Sequence, residues 1–72
     1  MDTNDMIIRY ENGTLDEMTT LELFAVLVRT GQAWTLQGHY GRMATFLLDH
    51  GLISAQGEVT DEGRRIVAGD IG

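Results

Sequence analysis

The sequence predicts a mainly α-helical fold: a compact bundle of three to four helices with a minor β-hairpin. Apolar residues recur at helical spacing in two long segments, and a glycine that can end a helix follows each of them. Two short segments that read as strands, residues 52–54 and 58–60, flank a turn that contains Gly57, as in a hairpin. A chain of 72 residues cannot divide its apolar side chains between two cores, so we expect residues 1–72 to form a single domain.

The composition restricts the functions that this chain can have. Eleven acidic residues stand against five arginines, and the formal net charge of −6 repels the phosphates of nucleic acids. There is no cysteine, and neither His39 nor His50 is accompanied by a set of metal ligands. No nucleophile, base and orienting group fall into a recognisable arrangement. We therefore expect no metal, no cofactor and no catalysis, and nucleic acid is a disfavoured partner.

A short first helix is expected over residues 5–11, with Asn4 as its N-cap. The spacing of Met6, Ile7 and Tyr10 places their side chains on one face. Because two helical turns are too short to be stable alone in water, this helix must dock on the rest of the chain through Ile7 and Tyr10.

The second predicted helix is apolar over most of its circumference. Its start is open, because Thr14, Asp16 and Thr19 can each cap it. A helix of this kind is central in its own domain or is shared with another chain. We favour some sharing, because so small a chain has little with which to cover it. Leu23 and Val26, which lie off the main apolar face, are therefore candidates for contact with a partner.

A third helix is expected after an ordered loop. Gly31 ends the second helix, and residues 32–38 form the loop, with Trp34 and Leu36 pointing inward. The third helix starts at residue 39 or 40 and runs to residue 50, where Gly51 ends it. Its inward-facing residues are Tyr40, Met43, Ala44, Leu47 and Leu48.

The C-terminal part is predicted to form a hairpin and a last helix. Residues 52–54 and 58–60 are the two strands, joined by a turn in which Gly57 adopts a positive φ. Thr60 caps a helix over residues 61–67, whose first turn is acidic, as the helix dipole prefers. The residues beyond this helix are expected to fray.

The densest collection of special residues lies between the second and third helices. Gln37, His39, Tyr40 and Arg42 are candidates for contact with a partner protein, because tyrosine and arginine are frequent interface anchors. In the alternative interpretation this segment is internal packing, and Arg42 binds a carbonyl or carboxylate within the loop. Gly41 then permits another backbone to come close.

The segment over residues 47–67 resembles the latter part of a winged-helix domain, in which a recognition helix is followed by a small hairpin and a Thr-x-x-Gly-basic helix start. The resemblance implies that the third helix enters the DNA major groove, with Arg42, Arg64 and Arg65 as candidates for nucleic-acid contact. The alternative for Arg64 and Arg65 is a solvated helix face in which Asp61 pairs with Arg65.

A second resemblance points to the source of the chain. Glu22-Leu23-Phe24, Thr30-Gly31 and the stretch Trp-x-Leu-Gln-Gly-x-Tyr-Gly-Arg over residues 34–42 resemble small uncharacterised proteins encoded by tailed bacteriophages, and the similarity covers residues 6–53. It implies a phage source but no activity. Since the sequence also has neither an export signal nor an apolar run of about eighteen residues, we expect no membrane contact and a location in the cytoplasm of the infected bacterial host.

We therefore expect a phage accessory protein that acts by protein–protein interaction, without catalysis. Its partner is a second copy of the chain, giving a homo-oligomer, or a protein of the host. One alternative is a sequence-specific DNA-binding protein of winged-helix type. Another is an acidic inhibitor that mimics DNA, for which eleven scattered acidic residues offer only modest support.

Overall fold

Four α-helices account for most of residues 2–69, the part of the chain that the computed structural model describes. They are α1, Thr3–Glu11; α2, Glu17–Thr30; α3, Gly38–Asp49; and α4, Asp61–Val67. A single turn of 3-10 helix, Gln32–Trp34, lies between α2 and α3. The predicted mainly helical bundle is confirmed. Of the residues predicted to fray, 70–72 lie outside the described part, and residues 68–69 form a turn after α4.

The core is built around α2. Leu23, Phe24 and Leu27 are completely buried, and α1, the 3-10 helix and α4 all pack against this helix. The prediction that α2 meets a partner through Leu23 is wrong, because the chain's own elements already cover this side chain. Val26 is half-buried. The other buried side chains of the core are Met6, Leu21, Ala25, Ala33, Tyr40, Ala44, Leu47 and Ile53.

Three aromatic rings join α1, α2 and α3. Tyr10 from α1 packs edge-on against Phe24 from α2, with ring centroids 5.3 Å apart. The centroid of Tyr40 from α3 lies 5.7 Å from that of Tyr10 and 6.1 Å from that of Phe24. Aromatic pairs at such separations contribute about 0.5–1.5 kcal/mol beyond the burial of their area. The short helix α1 is therefore held on the core by Tyr10, as the sequence predicts.

The first helix begins earlier than the sequence predicts. Its N-cap is Asp2 and not Asn4, because the Asp2 Oδ1 atom accepts a hydrogen bond from the Asp5 N–H at 2.8 Å. With this start the Met6 N–H also donates to the Asp2 carbonyl oxygen at 3.1 Å. The Asp2 side chain thus satisfies one of the N–H groups that a helix N-terminus leaves without intrahelical partners, and its carbonyl oxygen accepts the first intrahelical bond.

The N-caps of α2 and α4 are residues that the sequence offers as candidates. Asp16 Oδ1 accepts a hydrogen bond from the Thr19 N–H at 2.7 Å, which decides where α2 begins. Thr60 Oγ1 accepts one from the Gly63 N–H at 3.0 Å. The same hydroxyl donates to the Gly51 carbonyl oxygen at 2.6 Å. Thr60 therefore ties the start of α4 to the end of α3.

The segment between α3 and α4 does not form the predicted hairpin. Residues 2–69 contain no strand, and an isolated antiparallel bridge pairs Ile53 with Val59. Beside it the Ser54 N–H donates to the Glu58 carbonyl oxygen at 2.8 Å. A pairing this short has too few hydrogen bonds to form a ladder. The predicted winged-helix-like C-terminal half therefore lacks the strands of its wing.

Gly57 allows this segment to lie directly on α2. Its φ is +84°, in the left-handed region that favours glycine. Arg29 Nη1 donates to the Gly57 carbonyl oxygen at 2.9 Å. A Cβ atom on Gly57 would lie 2.7 Å from the Ala25 carbonyl oxygen. Both the backbone conformation and the close contact with α2 therefore require a residue without a side chain.

Replacing Gly57 by alanine is expected to destabilise the fold more than the same change at Gly51. Gly51 also has a positive φ, +74°, but no atom lies within 4 Å of the position that its Cβ would take. We expect Gly51→Ala to lower the free energy of unfolding by about 1 kcal/mol, the cost of a left-handed alanine. Gly57→Ala should cost roughly 1–3 kcal/mol more, through the clash with α2. Urea unfolding measures both, and equal losses would contradict the packing argument.

Because Asp16 caps α2, the stability of the fold is expected to fall at acid pH. Hydrogen bonds from the Thr19 side chain and backbone N–H hold the pKa of Asp16 below its ordinary value of 3.8. Because the pKa is lower in the folded chain, the cap stabilises the fold above the unfolded value, and this stabilisation is lost as the pH falls through the folded value. Asp16→Asn keeps a capping oxygen that does not titrate.

We therefore expect the melting temperature of the wild type to fall more between about pH 7 and about pH 2 than that of Asp16→Asn. Thermal melts followed by circular dichroism at both pH values provide the comparison. An equal fall in the two proteins would show that this cap does not contribute to the acid dependence.

Candidate functional site

One side of α3 faces away from the core and carries a stripe of exposed residues. Because an α-helix has 3.6 residues per turn, positions 38, 42, 45, 46 and 49 fall within an arc of roughly 100°. The opposite side of the helix carries the buried residues Tyr40, Ala44 and Leu47. The stripe, which we call the α3 outer face, consists of Gly38, Arg42, Thr45, Phe46 and Asp49.

Trp34 lies beside the α3 outer face and is 53 % exposed. The prediction that Trp34 points inward is wrong: its neighbour Ala33 is the residue that enters the core. The 3-10 turn, in place of an extended loop, presents the small side chain to the crowded space between α2 and α3. A Cβ atom on Gly41 would lie 3.7 Å from the Trp34 ring. The indole therefore rests against α3 with about half of its surface in solvent.

Phe46 is the second exposed aromatic residue of this region, at 49 %. Its ring packs against that of His50, with centroids 4.1 Å apart. The His50 Nδ1 atom lies 2.9 Å from the Phe46 carbonyl oxygen, one turn away. The C-terminal end of the α3 outer face is therefore a small aromatic cluster open to solvent.

Arg42 stands between two shallow grooves that are mostly apolar. One is lined by Trp34, Gly38, Gly41 and Thr45, and the other by Tyr10, His39, Met43 and Phe46. The interpretation in which Arg42 binds a carbonyl or carboxylate of the loop is wrong, because the Arg42 guanidinium makes no hydrogen bond and no ion pair with any of residues 2–69. A charged guanidinium without a partner inside the fold is free to bind one outside it.

The other arginines do have partners within the described part of the chain. Arg9 pairs with Asp5 at 3.1 Å, and Arg29 donates to the Gly57 carbonyl oxygen. On α4, Arg64 lies 3.5 Å from Asp61, and Arg65 pairs with Glu62. The predicted pair of Asp61 with Arg65 is not formed, because each α4 arginine reaches the acid three residues before it. Arg64 and Arg65 lie on another helix, apart from the α3 outer face.

Tyr40 is an internal tie between α3 and α1. Its side chain is buried, and its hydroxyl donates to Glu11 Oε2 at 2.5 Å. Burial raises the pKa of Tyr40 above its ordinary value, because the phenolate would lose its hydration, and the bond to the Glu11 carboxylate raises it further. The prediction that Tyr40 contacts a partner is therefore wrong, because its side chain is buried in the folded chain.

The remaining candidates differ in position. Gln37 is exposed directly before α3, and its carbonyl oxygen accepts a hydrogen bond from the Tyr40 N–H at 2.9 Å. His39 is half-buried, with its ring 4.2 Å from that of Tyr40. Val26 lines a separate groove, between α2 and the segment around Gly57. Gln37 and His39 thus border the α3 outer face, and Val26 does not.

Sequence reasoning did not single out Trp34, Phe46 or Asp49 as site residues. The signal for Phe46 and Asp49 is their spacing of four and seven residues from Arg42, which places all three on one side of a helix. For Trp34 no such signal exists, because which side of a three-residue 3-10 turn is buried depends on the elements packed against it.

Together with Trp34, the α3 outer face presents two exposed aromatic rings, one unpaired cation and one carboxylate. Among residues 2–69, no group of three His, Asp or Glu side chains could hold a metal ion. In the same part of the chain, no helix is both long and apolar enough to cross a membrane.

Removing the Tyr40 hydroxyl is expected to weaken the attachment of α1. Tyr40→Phe loses one hydrogen bond to a charged group, and the exposed Glu11 carboxylate recovers hydration, so the free energy of unfolding should fall by about 1–2 kcal/mol. Glu11→Ala should cost a similar amount, and the double variant little more, because both changes remove the same bond. Additive losses would contradict the bond.

The pH dependence gives an independent check on this tie. Since the pKa of Tyr40 is higher in the folded chain, its stabilisation is complete below the unfolded value of 10.0 and is lost as the pH rises beyond it. The wild type should therefore lose more stability than Tyr40→Phe between about pH 9 and about pH 11. Urea unfolding at both pH values measures this, and a larger loss in Tyr40→Phe would contradict the assignment.

Comparison with known proteins places the chain in a family. The family model described as Domain of unknown function (DUF7417) matches residues 2–70, which span all four helices and the whole α3 outer face. No curated protein and no solved structure matches the chain. Because the family match covers nearly the full sequence, this chain belongs to the family of the Domain of unknown function (DUF7417).

Proposed function

We propose that this chain is a protein-binding domain without catalytic activity, and that it contacts its partner through the α3 outer face together with Trp34. The observation that carries the proposal is the unpaired Arg42 between two half-exposed aromatic rings. Arginine, tryptophan and the other aromatic residues are enriched at the energetic centres of protein interfaces. The four other arginines are occupied within the fold.

The exposed rings make contact with a partner energetically favourable. Fully burying a large apolar side chain stabilises by about 1.5–3 kcal/mol, and half of that is still available at Trp34 and at Phe46. A partner that covers both rings therefore gains roughly 2 kcal/mol from these two side chains, before any contact of Arg42. Desolvating Arg42 costs free energy unless the partner offers an acceptor. The partner must therefore present a carboxylate or carbonyl group near apolar side chains.

The biological setting of the proposal is a bacteriophage infection. Trp34 and Arg42 begin and end the segment that resembles small proteins of tailed bacteriophages. On this basis we propose a phage accessory protein, located in the cytoplasm of the infected bacterium. Its partner is a second copy of the chain or a protein of the host.

A winged-helix DNA-binding protein is the competing proposal, and its support is the order of α3, a turn and the Thr60-capped α4. The charges oppose it. α3 carries one arginine, and Arg64 and Arg65 pair with acids of their own helix. With a net charge of −6 the chain has little attraction for phosphate.

The acidic DNA mimic is also weakly supported. Several of the carboxylates that it would need are engaged inside the fold, as helix caps, in ion pairs or by the Tyr40 hydroxyl. These are Asp2, Asp5, Glu11, Asp16, Asp61 and Glu62. A mimic requires rows of free carboxylates at the spacing of phosphates, and this engagement reduces their number.

The proposal predicts that Trp34 and Phe46 matter for binding but little for folding. Trp34→Ser with Phe46→Ser should keep a melting temperature within a few degrees of the wild type, because both side chains are half-exposed. The same variant should lose self-association in light scattering and lose any host protein that the tagged wild type enriches from bacterial lysate.

Ile66→Ser provides the matched control. Ile66 is as exposed as Trp34, at 54 %, but lies on α4. This variant should retain whatever partner the wild type binds. A wild type that neither self-associates nor enriches a protein, or a double variant that binds as the wild type does, would refute the proposed function.

A further inference from the structure

We infer that the α3 outer face binds a second copy of this chain, with the two α3 helices antiparallel across a two-fold axis. The inference rests on the proposed function, because it uses the same face. It goes further in naming the occupant and the residues that meet. The inference is carried by the pattern of charge along α3.

Arg42 and Asp49 are the only charged residues of α3, with histidine taken as neutral. Both side chains are exposed, and neither makes a hydrogen bond or an ion pair with any described residue. A separation of seven residues puts them on the same side of the helix, about 10 Å apart along its axis. The α3 outer face is thus electrically neutral, in a chain whose net charge is −6.

This arrangement is complementary to itself when one copy is reversed. A two-fold axis that passes between Thr45 and Phe46 places Arg42 of each copy opposite Asp49 of the other, so that one symmetry operation forms two ion pairs. A parallel arrangement would place Arg42 against Arg42 and Asp49 against Asp49. The charges therefore select the antiparallel dimer.

The aromatic residues fit the same arrangement. Phe46 lies next to the proposed axis, so its ring meets the ring of Phe46 in the second copy. Trp34 rests beside Gly41, on the flank of α3 opposite to the one that carries Phe46. The indole would therefore line the other edge of the same contact with the second copy.

A host protein whose contact surface carries charges of only one sign matches this face less well. An acidic surface that satisfies Arg42 would meet repulsion from Asp49, and a basic surface would meet the opposite conflict. A suitable partner must present one acid and one base in reverse order, two helical turns apart. The chain's own α3 is a surface with this pattern.

Charge reversal tests the pairing directly. In Arg42→Glu the introduced acid faces Asp49 twice across the axis, and in Asp49→Arg the introduced base faces Arg42 twice. We expect the dissociation constant of the dimer to rise by roughly tenfold or more in each variant alone, since two attractions become two repulsions. An equimolar mixture of the two variants should form a heterodimer, because every pair across the axis is again attractive. Sedimentation velocity measures the affinities, and native mass spectrometry identifies the mixed dimer.

The outcomes separate this inference from the proposed function. A wild-type dimer, weakened in each variant and restored in the mixture, supports the inference. A wild type that remains monomeric up to millimolar concentration overturns it, as do single variants that dimerise like the wild type or a mixture without the heterodimer. If the wild type is monomeric but enriches a host protein in a way that depends on Trp34 and Phe46, the proposed function stands and the second copy does not. Because both substituted residues are exposed, circular dichroism should show unchanged folding.

Discussion

The structure depends on how this short chain covers α2. The apolar residues of α2 extend almost around the helix, and burying them is the main source of free energy for folding a domain of this size. α1, the 3-10 helix and α4 each pack on α2, and the segment before α4 lies so close to it that Gly57 cannot be replaced without a clash. Most of the other elements of the fold therefore pack directly against α2.

The position of α3 follows from the way in which the other elements pack on α2. α3 packs on the 3-10 helix, and Tyr40 joins it to the aromatic rings of α1 and α2. These contacts use one side of α3 and leave the other without a cover from the described residues. The same contacts place Ala33 inside and Trp34 outside. The α3 outer face is therefore the side of α3 that the packing of residues 2–69 around α2 leaves exposed.

The sequence predicts the local features of this fold well, because they are decided by neighbours in the chain. Gly31 and Gly51 end helices through a left-handed backbone conformation, and the Thr60 hydroxyl caps α4 by accepting from the N–H group three residues later. The prediction fails where distant elements decide. In place of the predicted hairpin the structure has a single bridge, because a two-stranded ladder is stable only when it packs on other elements. Leu23 is completely buried within the chain itself and not by a partner.

The candidate site was predicted only in part, for the same reason. Of the four residues proposed in the segment before and within α3, Arg42 lies on the exposed face, Gln37 and His39 border it, and Tyr40 is turned inward. The partner of the Tyr40 hydroxyl, Glu11, is twenty-nine residues away in sequence. No local pattern reports such a bond. Trp34 was the largest error, since a large apolar residue usually points to the core.

Trp34 lies on the surface of the folded chain, and we propose that it becomes covered when the protein binds its partner. Trp34 is the single tryptophan, so its fluorescence reports on this site alone. Emission spectra of the wild type should be recorded over a dilution series from millimolar to nanomolar concentration, beside Ile66→Ser as control. We predict solvent-exposed emission in dilute samples and a shift to shorter wavelength as the chains associate. Emission typical of a buried indole at every concentration, or an exposed spectrum that stays unchanged while light scattering shows association, would contradict it.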